Sequence, residues 1–279
     1  MNAPHDPIAA ALSEDVGAGD LTAQFFTDPN QRSGARIFCK ADAVLAGVET
    51  AREVFHRIDP ALALRVVRHD GDALSPGDTV LEIEGSTASI VTAERTALNF
   101  IQRLSGVATL TRRYVKAVEG TGARILDTRK TTPGLRLLEK AAVAAGGGTN
   151  HRIGLYDMVM VKDNHLAARG DIEALRASIT RFKAAHPAVR VELEADTLEQ
   201  LRAFLGLNHV DVILLDNMDN TALRTCVELA AGRVQIEASG GVNLDTVRGI
   251  AETGVNFISV GALTHSAGAV DFSLEIHHA

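Results

Sequence analysis

The 279 residues contain only two cysteines, Cys39 and Cys226. That is too few for a disulfide framework, and neither has a neighbouring histidine or the spacing of a metal-ligand pair, so both read as small buried residues. Long apolar runs are also missing: no stretch reaches the roughly 18 residues of a membrane-spanning helix. The opening MNAPHDPIAAALSEDVG lacks the basic region and apolar stretch of a signal peptide. With a formal net charge of -7 and no long basic run, nucleic acid and anionic membranes are poor partners, because both need a broad positive surface. There is no proline- or serine-rich linker and no low-complexity segment. What remains is a chain 46% hydrophobic, able to bury a sizeable core, expected to be soluble and cytoplasmic.

From residue 123 onward, short β-rich runs alternate with longer amphipathic segments. The runs are Ala123 to Leu126, Met158 to Val161, Val189 to Leu193, Val212 to Leu215, Val234 to Ala238 and Phe257 to Val260. A polar or glycine residue closes each: Asp127, Lys162, Glu194, Asp216, Ser239 and Gly261. Spacings of one strand, one helix and two short loops predict parallel strands. Polar residues gathered at strand C-termini are how a β/α barrel builds a site, since those ends open on one face. An open doubly wound sheet is the competing architecture. A complete eight-stranded barrel takes about 250 residues, so six or seven strands fit the length that remains.

The first hundred residues read differently. β-rich runs fall at Ala35 to Cys39, Leu62 to Val67 and Thr79 to Ile83, with turn signals at Asp70-Gly71 and Pro76-Gly77. Helical periodicity covers Ala88 to Ile101 and resumes from Thr109 to Glu119. The expected organisation is an N-terminal α+β domain over residues 1–105 and an incomplete α/β barrel over 106–266, with the tail from about 267 to 279 packing back on the first domain.

The charges that matter are concentrated. Between Asp127 and His165 stand Arg129, Lys130, Arg136, Lys140, His151, Arg152, Lys162 and His165, among glycines and threonines. Arginine offers a planar fork to a carboxylate or phosphate and lysine a compact point charge, so the mixture suits a small polyanionic metabolite. Arg129 and Lys130 follow a buried strand, Thr128 can offer a hydroxyl, and Pro133-Gly134 fits a turn into the next helix. Gly146-Gly147-Gly148 would let backbone approach an oxyanion, or simply end a helix over Ala141 to Ala145; Asn150-His151-Arg152 behind it favours the first reading.

Glu194 and Asp216 close successive strands and should lie side by side at the rim. Two carboxylates near a phosphate trap suggest Mg²⁺; a salt bridge to Lys162 or a helix cap is the plainer alternative, and Glu192 and Glu237 are alternates. Ser239-Gly240-Gly241 and Val260-Gly261-Ala262 match the phosphate site that final barrel loops often build. Lys162 alone would also fit a Schiff-base aldolase. A non-catalytic phosphometabolite sensor is a third reading.

Taken together, EDVGAGDLT at 14 to 22, ERTALNFIQRLSGVAT at 94 to 109, DTRKTTPGLR at 127 to 136, GGGTNHRIGLYD at 146 to 157, KDNH at 162 to 165, LDNM at 215 to 218, EASGG at 237 to 241 and SVGALTHS at 259 to 266 closely resemble the quinolinate phosphoribosyltransferases. The resemblance implies a mixed α/β N-terminal domain, an incomplete seven-stranded barrel, and a homodimer with shared active sites. It implies transfer of phosphoribosyl from phosphoribosyl pyrophosphate to quinolinate with Mg²⁺, giving nicotinate mononucleotide, pyrophosphate and carbon dioxide in NAD synthesis. By motif, Thr128, Arg129, His151, Arg152 and Lys162 take quinolinate, with Arg95 reaching in from the partner subunit. Lys130, Lys162, Glu194 and Asp216 face phosphoribosyl pyrophosphate and its metal, while Ser239, Gly240, Gly241, Val260, Gly261 and Ala262 take its phosphate; Lys130, Glu194 and Asp216 are the expected catalytic set. The helix EKAAVAAGGG at 139 to 148 departs from the family's commoner EKYAVRCGGG, which bears on Lys140. A molybdenum-associated paralogue shares DTRKTTPGLR but departs around KDNH, which is intact here.

Overall fold

A computed structural model of the chain describes residues 6–162 and 172–278. These form two compact units. One comprises Met1–Arg112, Thr131–Gly147 and Leu263–Ala279; the other comprises Arg113–Lys130 and Gly148–Ala262.

The first unit begins with helices α1 (Pro7–Asp15) and α2 (Leu21–Phe26), capped by the side chains of Asp6 and Asp20, which accept backbone N–H bonds from the first turns. Then come β1 (Arg32–Cys39), β2 (Ala43–Val44), α3 (Val48–Ile58), β3 (Ala63–Val66), β4 (Ala73–Leu74) and β5 (Thr79–Ser86). Entry to α3 needs a left-handed residue, supplied by Gly47 at φ 87, and Asp70 accepts the N–H groups of Gly47 and Val48 at 2.8 and 3.1 Å. The main sheet is antiparallel in the order β12-β1-β5-β3. Its edge strand β12 (Phe272–His278) is the chain's end returning to pair with β1, in register from Gly34 opposite His277 to Cys39 opposite Phe272. Ile37, Phe55, Leu81, Ile83, Ile90 and Ile101 are fully buried in the core beneath.

The two helical stretches expected on either side of Ser105-Gly106 are one helix, α4 (Thr87–Ala117). Gly106 lies inside it, at a position that only glycine fits: a Cβ there would lie 2.0 Å from the Gly268 carbonyl oxygen. Helix α5 (Arg136–Ala145) packs with the first unit through Leu138 and the preceding Leu135, so residues 131–147 sit with that unit although they follow the first barrel strand in sequence.

The second unit contains β6 (Arg124–Leu126), β7 (Val159–Val161), α6 (Ile172–Ala185), β8 (Val191–Ala195), α7 (Leu198–Leu205), β9 (Val212–Asp216), α8 (Asn220–Ala230), β10 (Gln235–Ser239), α9 (Val247–Ala251) and β11 (Phe257–Ser259), before the short α10 (Ala262–His265). A capping box of Thr197 and Gln200 starts α7, and Asp219 caps α8. The six strands pair in parallel in the order β6-β11-β10-β9-β8-β7, the expected incomplete barrel. A seventh strand is reduced to a single bridge: Thr149 pairs with Leu126, donating its N–H to Ile125 O at 2.8 Å and accepting from Asp127 N at 3.2 Å. Three glycines precede it, one of them Gly147 at φ 90, and such backbone cannot continue a ladder in that direction. No helix among the described residues is long and apolar enough to cross a membrane.

Candidate active site

Side chains alternate along a strand, so every second residue of each barrel strand points inward. The inward series runs through Leu126 and Thr128, Met160 and Lys162, Glu192 and Glu194, Val212, Leu214 and Asp216, Glu237 and Ser239, Phe257 and Ser259, and it lines two cavities. The larger, about 340 Å³, is lined at the strand C-termini by Thr128, Arg129, Lys130, Met160, Lys162, Glu194, Leu214, Asp216, Ser239 and Ser259. A smaller one of about 180 Å³ is lined by residues nearer the strand N-termini, among them Arg124, Met158, Arg190 and Glu192. His151, Arg152 and Glu237 border both.

The loop after β6 is held by Asp127, fully buried, which accepts His151 N–H at 2.8 Å. Asp127 therefore orients the glycine loop instead of facing a ligand. Thr128 Oγ1 accepts the Lys130 N–H at 3.1 Å, fixing a turn that presents Arg129 and Lys130. Arg152 is half-buried, and burial followed by the charge of Arg129 lowers its pKa, while Glu192 and Asp157 oppose the shift. Two guanidinium groups held close enough to repel one another define a place for an anion.

Below them lies a carboxylate cluster. His151 Nε2 is 3.2 Å from Glu192 Oε2 and 3.6 Å from Glu237 Oε2, and His151 Nδ1 accepts the Arg152 N–H at 2.7 Å. Ser259 Oγ donates to Glu237 Oε1 at 2.5 Å. Glu192 is wholly buried, and neither of its side-chain oxygens accepts an aligned hydrogen bond. Its pKa is pushed up to about 7, mainly by burial, and that of Glu237 to about 8, by burial and then by the charge of Glu192.

At the rim, Lys162 Nζ forms an ion pair with Glu194 Oε2. The salt bridge expected as the plainer reading is thus present, and it argues against Lys162 as a neutral aldolase amine. Asp216, two residues beyond Leu214 on the adjacent strand, is half-buried and accepts from Asn217 Nδ2 at 2.7 Å. Glu194 and Asp216 both line the larger cavity, and two oxygen donors on neighbouring strands fit a hard divalent cation, with Lys162 as its competitor for Glu194.

The glycine turns divide in role. Gly240 stands at φ 93 and Gly241 at φ 60, and a Cβ on Gly240 would fall 2.2 Å from Asn217 Oδ1, so this turn requires glycine. Val260 is buried and donates its N–H to Leu126 O at 2.9 Å. Its amide serves the sheet, and Gly261 and Ala262, next along the segment, are half-buried. Lys140 is 2% exposed within α5. Arg95 lies on α4 in the first unit and is exposed. Asp163, Asn164 and His165 of the KDNH motif lie outside the described residues. In the sequence Glu192 and Glu237 stand only as alternative metal carboxylates and Ser259 carries no separate signal; the period-two alternation of the strands is what joins all three.

A family model described as the quinolinate phosphoribosyl transferase N-terminal domain matches residues 20–105, and the corresponding C-terminal domain matches 107–275. The chain is 43% identical over 263 residues to a probable nicotinate-nucleotide pyrophosphorylase [carboxylating] of Bacillus subtilis, covering 94% of this chain and 90% of that protein. A chloroplastic nicotinate-nucleotide pyrophosphorylase [carboxylating] of Arabidopsis thaliana is 44% identical over 285 residues, covering 96% and 81%. Among solved structures, NadC from Streptococcus pyogenes superposes with a TM-score of 0.91 at 39% identity, over 98% of this chain and 95% of that one. The nicotinate-nucleotide pyrophosphorylase of Francisella tularensis gives 0.90 at 36%, over 97% and 94%. With both domain models matched in order and relatives aligned over nearly the whole of this chain, the chain belongs to the quinolinate phosphoribosyltransferase family.

Proposed function

We propose that the chain transfers the phosphoribosyl group of phosphoribosyl pyrophosphate to the ring nitrogen of quinolinate and releases the 2-carboxylate as carbon dioxide, giving nicotinate mononucleotide and pyrophosphate for NAD synthesis. The observation that carries this reading is the larger cavity, where Arg129 and Arg152 repel one another beside Lys130 and Lys162. Such a site is matched by a ligand with two carboxylates and a second ligand rich in phosphate.

Quinolinate is assigned to Thr128, Arg129, His151, Arg152 and Lys162, and phosphoribosyl pyrophosphate to Lys130, Lys162, Ser239, Gly240, Gly241, Gly261 and Ala262. No described side chain in the cavity is placed as an obligatory nucleophile. Catalysis then comes from positioning the ring nitrogen against the anomeric carbon and from cations facing the departing pyrophosphate. Glu194 and Asp216 would hold Mg²⁺, which would neutralise charge on the pyrophosphate; Lys162 would then turn from Glu194 to a substrate anion. Once the ring nitrogen bears ribose it is cationic, and the adjacent carbon can hold the electron pair left by the carboxylate.

Two finer points belong to the same proposal. The active unit is a homodimer in which Arg95 completes the partner's site, supported by the exposure of Arg95 and of the apolar side chains of Leu21, Phe25 and Phe26 in the same unit. The compartment is the cytoplasm, supported by free Cys39 and Cys226.

The test is to mix protein, quinolinate, phosphoribosyl pyrophosphate and Mg²⁺ and assay nicotinate mononucleotide, which should form only with all components and stop on chelation. Robust turnover of nicotinate in place of quinolinate would sink the assignment, because a site built for two carboxylates leaves cations unpaired with a monoacid.

A further inference from the structure

The proposed reaction consumes one proton that neither substrate brings. When the bond from the ring carbon to the 2-carboxyl group breaks, carbon dioxide leaves and the electron pair stays on the ring carbon beside the cationic nitrogen. A proton must replace the lost group. Quinolinate arrives as a dianion, and its ring nitrogen is occupied by ribose, so the proton comes from the cavity.

Few cavity groups can give it. Arg129, Arg152, Lys130 and Lys162 are assigned above to the carboxylates and phosphates of the substrates, and serine and threonine hydroxyls hold their protons far more tightly than a carboxyl group does. Glu194 faces the Lys162 ammonium, and Asp216 accepts from Asn217. His151 lines the cavity, yet its Nδ1 accepts the Arg152 N–H and its Nε2 points at Glu192 and Glu237. Glu237 is different. It is 2% exposed and borders the larger cavity, Oε1 is engaged by the Ser259 hydroxyl, Oε2 stands 3.6 Å from His151 Nε2, longer than a hydrogen bond, and a second carboxylate, Glu192, stands in the same cluster, whose ligating atoms all lie within 4.8 Å of one another.

We propose that Glu237 is the acid that protonates the ring carbon after carbon dioxide leaves; this rests on the decarboxylating transfer proposed above. The Glu237 O–H bond breaks, its hydrogen joins the ring carbon using the stranded pair, and Glu237 becomes a carboxylate facing the His151 Nε2–H. Water refilling the cavity after product release returns the proton. Burial and the charge of Glu192 keep Glu237 protonated up to a pH of about 8, which suits an acid working near neutrality. The charged and titratable groups facing the cluster are His151 and Arg152 from the loop before β7, Arg190, Glu192 and Glu194 from β8 and the residue before it, and Ser259 from β11 as hydrogen-bond donor. A neutral acid has a further advantage over another cation: it adds no positive charge that would hold the carboxylate in place before it leaves.

The test separates the two chemical steps. In Glu237→Gln, which keeps the shape and can still accept from Ser259 but cannot donate a carboxyl proton, single-turnover pyrophosphate release should stay near wild type. Formation of nicotinate mononucleotide should fall about 100-fold or more, with the phosphoribosylated dicarboxylate accumulating. Glu237→Asp should restore part of the second step. Wild-type turnover should fall above a pH of about 8, a limb missing from the glutamine variant. If pyrophosphate and mononucleotide appear in step in Glu237→Gln at the wild-type ratio, the assignment is overturned. Should that variant not fold, the wild-type profile decides: an alkaline limb with a solvent deuterium effect supports the proposal, and its absence overturns it. If the wild type makes no mononucleotide at all, it is the parent reaction that fails.

Discussion

Glu139 receives Arg103 on one oxygen twice over: Arg103 Nε and Nη2 donate to Glu139 Oε1 at 3.1 and 2.8 Å, across 36 residues of sequence. Glu139 has no exposed surface, and Thr132 adds its N–H at 3.0 Å and its hydroxyl at 2.7 Å. Arg103 continues to the carbonyls of Thr264 and Ala267, the latter at 2.7 Å. One ion pair thereby ties α4, the end of the DTRKTT loop, α5 and the segment following the last barrel strand, all within the first unit.

Removing Glu139 leaves Arg103, 26% exposed and still donating to two carbonyls, without its counter-charge, and leaves Thr132 without its acceptor. Glu139→Ala should lower stability by about 1–3 kcal/mol, and Glu139→Gln, which keeps an acceptor for Thr132, by less. Denaturant melts of the three proteins check this; equal midpoints for alanine and glutamine would show that hydrogen-bond geometry is irrelevant here.

Arg129→Lys and Arg152→Lys keep the charge and lose the fork. Loss of a charged bidentate contact is worth about 1.5–3 kcal/mol, so kcat/KM for quinolinate should drop by roughly tenfold or more, with phosphoribosyl pyrophosphate less affected. Unchanged quinolinate kinetics in both variants would refute their assignment.

Alanine at Glu194 or Asp216 should raise the Mg²⁺ or phosphoribosyl pyrophosphate requirement with little effect on quinolinate binding. Because Lys162 is paired with Glu194, the Glu194 change also removes that partner of Lys162. Titrating the metal at fixed substrate distinguishes the outcomes, and selective loss of quinolinate binding counts against the metal role.

If sites are shared in a dimer, mixing inactive Arg95→Ala with inactive Lys162→Ala and exchanging subunits should restore activity, since each heterodimer then has one intact site. Confirmed exchange without recovery rules the shared site out.

The cluster also predicts a pH dependence of stability. Folding raises the pKa of Glu237 from 4.5 to about 8, so the folded chain keeps a proton that the unfolded chain gives up. That contribution is complete below pH 4.5 and is lost as pH rises toward about 8, with a slope for one group of at most about 1.4 kcal/mol per pH unit. The stability of wild type relative to Glu237→Gln should therefore fall between those limits. A difference that grows with pH has the wrong sign and removes the premise of a protonated Glu237.

Much of this was legible in the residues. All six barrel strands fall within two residues or so of their apolar runs, because a strand buried on both faces needs a continuous β-branched stretch and a polar residue to end it. The cationic cavity was legible for the same reason: Arg129, Lys130 and Lys162 stand where strands stop. Helix α4 was misread as two because Gly106 carries a low helix propensity; its close approach to Gly268, 162 positions further along, is invisible to a local window.

What the chain encodes by itself is therefore its order of elements, the ends of its strands and, through its motifs, its family. The tertiary structure alone decided that Asp127 is a buried strut, that the Val260 amide belongs to the sheet, that Lys162 is paired with Glu194, and that His151, Glu192, Glu237 and Ser259 meet. Those four residues come from one loop and three strands, and what a buried carboxylate does depends on neighbours that only strand register brings within hydrogen-bonding distance.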